Sequence, residues 1–187
     1  MTAKELDIRG AWHIEGRRFA DDRGFFQEWF KSSSFHSMTG VSFVPVQANI
    51  SRSAAGVIRG IHYSIAPEGQ GKLVTVMSGA IDDYVIDIRP SSPTFGQWRR
   101  VRLTSDNGDA VLINPHLGHA FQALTDDTVV SYLVTAEFNP EMEKGITPFC
   151  PEIGINWAPH GPDAVSPKDR EANGLSAQSK AGLLPRL

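Results

Sequence analysis

Short runs rich in Val, Ile, Phe and Tyr, some alternating with polar residues and some continuous, recur along the chain with Gly or Pro between them. Their spacing of roughly eight to twelve residues is that of an all-β sandwich or barrel, and helical periodicity is nearly absent. Residues 11–14 and 25–30 read as two early strands flanking the turn Asp21-Asp22-Arg23-Gly24, where Asp tolerates tight backbone and Gly supplies a positive φ. Further strands are expected at 44–50, 57–63, 73–77 and 81–88. Residues 33–39 fit one short helix with a serine cap and Gly40 as its stop.

Two hairpins are expected later in the chain. Asn107-Gly108 sits between the runs 101–103 and 111–113, and Asp126-Asp127 between 120–124 and 128–135. After Asn139-Pro140 the pattern breaks up, and from about residue 160 the chain becomes a polar tail with a helical tendency. Nine or ten short strands with no repeat and no linker predict one domain over residues 1–187. Its expected fold class is a double-sheet jelly-roll barrel with a few short helices, whose mouth can hold a small ligand.

Composition narrows the class. With 187 residues and 41% hydrophobic content, the chain can bury a full core unaided. One cysteine, Cys150, permits neither an internal disulfide nor a cysteine-rich zinc site, which fits a reducing compartment. The first residues contain no apolar segment of signal-peptide type and no run is long enough to span a bilayer, so a soluble, cytoplasmic protein is expected. A net charge of −3 provides no global field for nucleic acid, so an anionic ligand must be held by local cations.

Those cations cluster around Gly56-Val57-Ile58-Arg59-Gly60-Ile61-His62-Tyr63 and, beyond a Pro/Gly loop, Gln70-Gly71-Lys72. Strict alternation would put Arg59 and His62 on opposite faces of a strand, but a bulge at Gly60 can bring them to one side. The cluster then reads as a base with two cations. Equally, His62 could be a hydrogen-bonded core histidine and Arg59 and Lys72 solvated strand ends.

Pro115-His116-Leu117-Gly118-His119 invites comparison with a metal-binding cupin, but the first half of such a site is missing. Two histidines at i, i+2 would share a strand face, and here Ser64 follows His62 while the next loop offers only Glu68. No metal and no cofactor are expected. His13, His36 and His160 read as surface or packing residues. The remaining chemistry is proton transfer: His62 as base, Lys72 and Arg59 as cations, His119, and the Tyr132 phenol together suit enolisation beside a ketone.

Several motifs carry a resemblance. They include Asp22-Arg23-Gly24-x-Phe26-x-Glu28, Gln47-x-Asn49-x-Ser51, the stretch 56–63, and Asp87-Ile88-Arg89-x-x-Ser92-Pro93-Thr94-Phe95-Gly96. Gly118-His119-x-Phe121, Tyr132, Phe138-Asn139-Pro140-x-x-Glu143 and Ser166-x-Lys168-Asp169 continue it, and the match runs in order to the ending Leu183-Leu184-Pro185-Arg186. Together they resemble the dTDP-4-dehydrorhamnose 3,5-epimerase family. The resemblance implies a cupin-like jelly roll, a homodimer, no metal or cofactor, and inversion of C3 and C5 of dTDP-4-dehydro-6-deoxyglucose.

Position by position, it implies His62 as base, Asp169 as its orienting carboxylate, Tyr132 as proton donor and Lys72 as a cation near the C4 oxygen. Arg23, Glu28, Gln47, Asn49, Arg59, His119, Glu143 and Lys168 match positions that hold the nucleotide-sugar, and Phe138 stands where a tyrosine usually stacks on thymine. Ser64, Gly71, Ala120 and Cys150 depart from the family pattern. Those departures leave two alternatives beside the double epimerase: a 3- or 5-monoepimerase of a secondary-metabolite ketosugar, and a cupin that binds a nucleotide-sugar without turnover.

Overall fold

The computed structural model describes residues 1–65, 69–159 and 164–185. Glu68, His160 and Arg186, named above, lie outside the described residues. The strands are β1 (Thr2–Glu5), β2 (Ala11–Glu15), β3 (Arg18–Asp21), β4 (Gly24–Gln27), β5 (Gln47–Ser53), β6 (Ile58–Ser64) and β7 (Lys72–Ser78). They continue with β8 (Ala80–Ile86), β9 (Trp98–Thr104), β10 (Ala110–Ile113), β11 (Gly118–Ala123), β12 (Thr128–Val134) and β13 (Glu143–Gly145). Three short helices complete the described residues: α1 (Ser32–Thr39), α2 (Pro167–Arg170) and α3 (Leu175–Lys180).

The strands form a six-stranded sheet in the order β1-β2-β10-β7-β12-β5 and a five-stranded sheet in the order β13-β6-β11-β8-β9, with β3-β4 as a separate hairpin. Between the two main sheets lies one core, with Val74, Val76, Val111, Ile113 and Val130 from the first meeting Ile81, Val85, Val101, Leu103 and Phe121 from the second. Both outer faces are covered as well. Phe35 of α1 and Phe43 pack on Trp12, Leu73 and Leu112, while Ile146, Cys150, Ile153, Ile155 and Leu175 pack on Ile61, Tyr63, Tyr84 and Ile86. Double coverage is why several strands read as continuous rather than alternating apolar runs. The architecture is the expected cupin-like jelly roll.

The turn at 21–24 forms as expected, closing β3 on β4 with Asp21 opposite Gly24. The residues 11–14 do not flank it as a partner strand; β2 pairs with β1 and β10. Strand β4 ends at Gln27, short of the expected residue 30, and the segment 44–50 becomes a strand only from Gln47. In α1 the N-cap is Lys31 with no side-chain cap bond, so the expected serine cap is absent, whereas Gly40 does stop the helix with φ +71°.

Neither of the two later hairpins exists. β9 pairs with β8, and β10 lies in the other sheet between β2 and β7. Asn107 does turn the chain, with its side-chain oxygen accepting from the N–H groups of Thr104 and Asp109, but the turn is a corner between sheets. Burial explains the choice: β9 alternates exposed and buried residues as an edge strand does, while all of β10 is buried and needs a neighbour on both sides. In the same way β11 pairs with β6 and β8, and β12 with β5 and β7, so Asp126-Asp127 is a second corner.

Candidate active site

The site lies between the sheets, at the open end of the barrel, where β5, β7 and β12 face β6 and β11. In the β6–β11 pairing His119 stands opposite His62 and Phe121 opposite Arg59, so Gly60 and Ile61 together face the single residue Ala120. This is the bulge anticipated from the sequence. Gly60 has φ +128°, and a Cβ there would lie 2.5 Å from the Cβ of Ala120 and 2.7 Å from the carbonyl oxygen of His119. The bulge turns Ile61 outward, under Ile146 and the residues that cover the outer face of this sheet, and leaves Arg59 and His62, three residues apart, on the inner face.

His62 Nε2 lies 2.7 Å from Oδ1 of Asp169. Asp169 belongs to α2, whose first turn is fixed by Pro167 and by Ser166, the N-cap, whose hydroxyl accepts the N–H of Asp169. Its other oxygen accepts the backbone N–H of Gly60 at 3.3 Å, so one carboxylate anchors both the ring and the bulge. Burial alone would push this carboxyl up, but the bond to and charge of His62, with the Gly60 N–H and Ser166, outweigh it and hold Asp169 below the usual carboxylate range. The same His62 side chain lines the cavity.

Lys72 opens β7 and is buried, with Val134 of β12 and Ile113 of β10 as its cross-strand partners. Desolvation pushes its ammonium below the ordinary lysine value, and the negative charges of Glu143 and Asp83 oppose the shift. Tyr132 stands across the lumen on β12, opposite Asn49 of β5. Its phenol is pushed up by burial and by Glu143, against Arg59. A second histidine–carboxylate pair sits deeper, with His119 Nε2 bonded to Oδ2 of Asp83 at 2.7 Å. Sequence reasoning missed Asp83. Its signal was available, since Asp82-Asp83 interrupts an otherwise apolar strand, and a buried carboxylate needs a partner.

Two connected spaces result. An inner chamber of about 160 Å³ is lined by Ser51, Arg59, His62, Lys72, His119, Phe121 and Tyr132. An outer cavity of about 460 Å³ shares His62, Lys72 and Tyr132 with it and adds Gln47, Asn49, Gln70, Phe138, Glu143, Lys144 and Lys168. Phe138 is 60% exposed at the rim, positioned by its N–H bonding Gln47. Eleven of the thirteen site residues expected from the sequence are thereby brought together: ten line one or both spaces, and Asp169 stands behind His62. Arg23 and Glu28 are not. Arg23 lies exposed on the β3–β4 hairpin, bonded to Asp21, and Glu28 follows β4 beside Lys31, so neither lines either of these two spaces. Among the described residues no group of three or more His, Cys, Asp or Glu side chains could hold a metal ion, and no helix is long and apolar enough to cross a membrane.

Comparison with known proteins agrees with this geometry. The family model described as dTDP-4-dehydrorhamnose 3,5-epimerase matches residues 5–177. The chain is 44% identical over 186 residues to the dTDP-4-dehydrorhamnose 3,5-epimerase of Mycolicibacterium smegmatis, covering 99% of this chain and 91% of the relative. It is 40% identical to the dTDP-4-dehydrorhamnose 3-epimerase of Streptomyces niveus, over 99% of this chain and 89% of the relative. The crystal structure of an epimerase from Legionella pneumophila in complex with dTDP-4-keto-L-rhamnose superposes with a TM-score of 0.94 at 36% identity, covering 100% of this chain and 98% of that one. A shared cavity with a histidine–aspartate pair, a buried lysine and a phenol, on a fold and sequence this similar, leads to one conclusion: the chain belongs to the dTDP-4-dehydrorhamnose 3,5-epimerase family.

Proposed function

We propose that the protein inverts C3 and C5 of dTDP-4-dehydro-6-deoxyglucose to give dTDP-4-dehydrorhamnose, by deprotonation and reprotonation on either side of the C4 ketone. The observation that carries this reading is that His62, Lys72 and Tyr132 line the same two spaces while Asp169 holds the His62 ring. His62 removes the proton on the carbon beside the ketone, and the electron pair of that C–H bond becomes the enolate, with negative charge on the C4 oxygen. The Lys72 ammonium stabilises that charge. Tyr132 gives its phenolic proton to the opposite face of the same carbon and recovers one from solvent, so the centre inverts with no net change in atoms or electrons. A placed base contributes on the order of 10²–10⁴-fold, and an oxyanion partner on the order of 10²–10³.

Asp169 keeps the base oriented. Gln47, Asn49, Arg59, His119, Glu143 and Lys168 hold the nucleotide-sugar, Arg59 and Lys168 supplying charge for the diphosphate, and Phe138 offers its exposed face to thymine. Arg23 and Glu28 enter through a homodimer in this reading. They sit on or beside a hairpin whose Phe25 and Phe26 are 58% and 68% exposed, a surface suited to a second copy. The protein is assigned to the cytoplasm, consistent with its unpaired Cys150.

The test is the configuration of the product. Incubation with dTDP-4-dehydro-6-deoxyglucose, trapping by reduction and NMR coupling constants should show both C3 and C5 inverted; unchanged sugar would overturn the reading. A second reading, inversion at C3 alone, is favoured by the likeness to the Streptomyces niveus 3-epimerase, and a product with C5 retained would establish it.

A further inference from the structure

Strand β5 presents a row of polar side chains to the lumen. Gln47, Asn49, Ser51 and Ser53 alternate with the exposed Ala48, Ile50 and Arg52, so the row runs from the rim inward. The other members have partners: Gln47 donates to Asn49 and accepts the N–H of Phe138, and Ser53 accepts from the Arg59 guanidinium. Ser51 differs. Its Oγ is buried and forms no hydrogen bond among the described residues, yet the residue belongs to the wall of the inner chamber with Arg59, His62, Lys72, His119, Phe121 and Tyr132.

An unpartnered buried hydroxyl destabilises a fold, and its cross-strand neighbour Val130 shows that an apolar residue suits this depth. A serine hydroxyl can donate or accept and rotates to suit its partner. The surrounding cations answer to the ketone oxygen and the phosphates, which leaves a neutral group facing a wall that also contains the Phe121 ring. A hexose ring has that character, with hydroxyls at its edge and C–H bonds on its face.

We propose that Ser51 is a specificity-determining residue that hydrogen-bonds a ring hydroxyl of the hexose, at C2 or C3, once the sugar occupies the inner chamber. The inference rests on the epimerase reading above and adds to it a residue that tells a hydroxylated sugar from a deoxy one.

The experiment measures solvent deuterium incorporation at C5, a position common to dTDP-4-dehydro-6-deoxyglucose and its 2-deoxy and 3-deoxy counterparts. It compares the wild-type chain with Ser51→Ala and Ser51→Thr. Removing one partner of a buried hydrogen bond is expected to lower kcat/KM about tenfold for Ser51→Ala on the parent sugar, with thermal stability unchanged or raised. That penalty should vanish on one of the two deoxy sugars, which identifies the hydroxyl. Ser51→Thr, which keeps the hydroxyl, should recover part of the rate. Equal rates for Ser51→Ala and wild type on the parent sugar, or the same penalty on all three, would overturn the inference. Absence of exchange at C5 by the wild-type chain itself would count against the double-epimerase reading and remove this inference with it.

Discussion

His62 and Asp169 are 107 residues apart in the chain and 2.7 Å apart in the fold. The carboxylate that bonds the imidazole also accepts the N–H of Gly60, so the position of the His62 ring and the shape of the bulge depend on one side chain. Exchanging this carboxylate for an amide of the same size separates orientation from packing. Asp169→Asn should lower kcat by on the order of 10²–10⁴ with little change in KM, because the residues proposed to hold the nucleotide-sugar are untouched. A variant with the wild-type kcat would show that His62 needs no orienting anion.

Tyr132→Phe tests the proposed donor. The phenol is raised by burial and therefore neutral at pH 7, the form that can give a proton. The variant should still exchange substrate hydrogen with solvent, since His62 and Lys72 are untouched, but should return the proton to the original face and accumulate little inverted product. Proton NMR of a single sample in D₂O reads both quantities. Normal inversion would assign the donor role elsewhere.

Gly60→Ala tests whether the bulge positions His62. The added Cβ would meet Ala120 and the His119 carbonyl at 2.5 and 2.7 Å, against a φ of +128° that favours glycine. A loss of roughly 1–3 kcal/mol in chemical denaturation is expected from overpacking. Residual folded protein should also be slower, because strand β6 must shift where it carries His62. Full stability and full activity together would contradict the bulge as a positioning device.

Away from the site, Asp87 links stability to pH. Burial opposes its ionisation, but bonds from Arg89, Ser92 and Thr94 and the Arg89 N–H outweigh it and lower the carboxyl to about 2, from 3.8. A carboxyl depressed on folding stabilises above its unfolded pKa, and that stability fades as pH falls toward the folded value. The contribution is roughly 2 kcal/mol at neutral pH. The stability gap between wild type and Asp87→Asn should therefore narrow by about this amount between pH 5 and pH 2. A gap constant with pH would place the stabilisation outside the ionised carboxylate.

The sequence and structure agree best where a local rule and the global packing point the same way. The period-2 run through His62, with glycine as its break, predicted both the strand and the bulge that unites Arg59 with His62. Asn107-Gly108 and Asp126-Asp127 were equally clear as turns, but a turn states only that the chain reverses. Which sheet receives the next strand was set by the full burial of β10 and β11, and that follows from layers the local pattern does not contain. Asp169 could not be placed from spacing, because a four-residue helix in a polar tail gives no periodic signal; it came from the family resemblance. Asp83 carries no local signal of its role, and Ser51, though part of the motif Gln47-x-Asn49-x-Ser51, receives none from it, because polar residues in strands acquire meaning only once their surroundings are known. Arg23 and Glu28 remain apart from the cavity in a single chain, which is why their role is proposed through a second copy.

In the proposed reaction one imidazole removes carbon-bound hydrogen from both neighbours of the ketone. The most direct measurement is the number of solvent deuterons that the wild-type chain and His62→Asn place on dTDP-4-dehydro-6-deoxyglucose in D₂O. Two deuterons for wild type, one each at C3 and C5, and none for the variant is the predicted result; exchange by His62→Asn at the wild-type rate would contradict it.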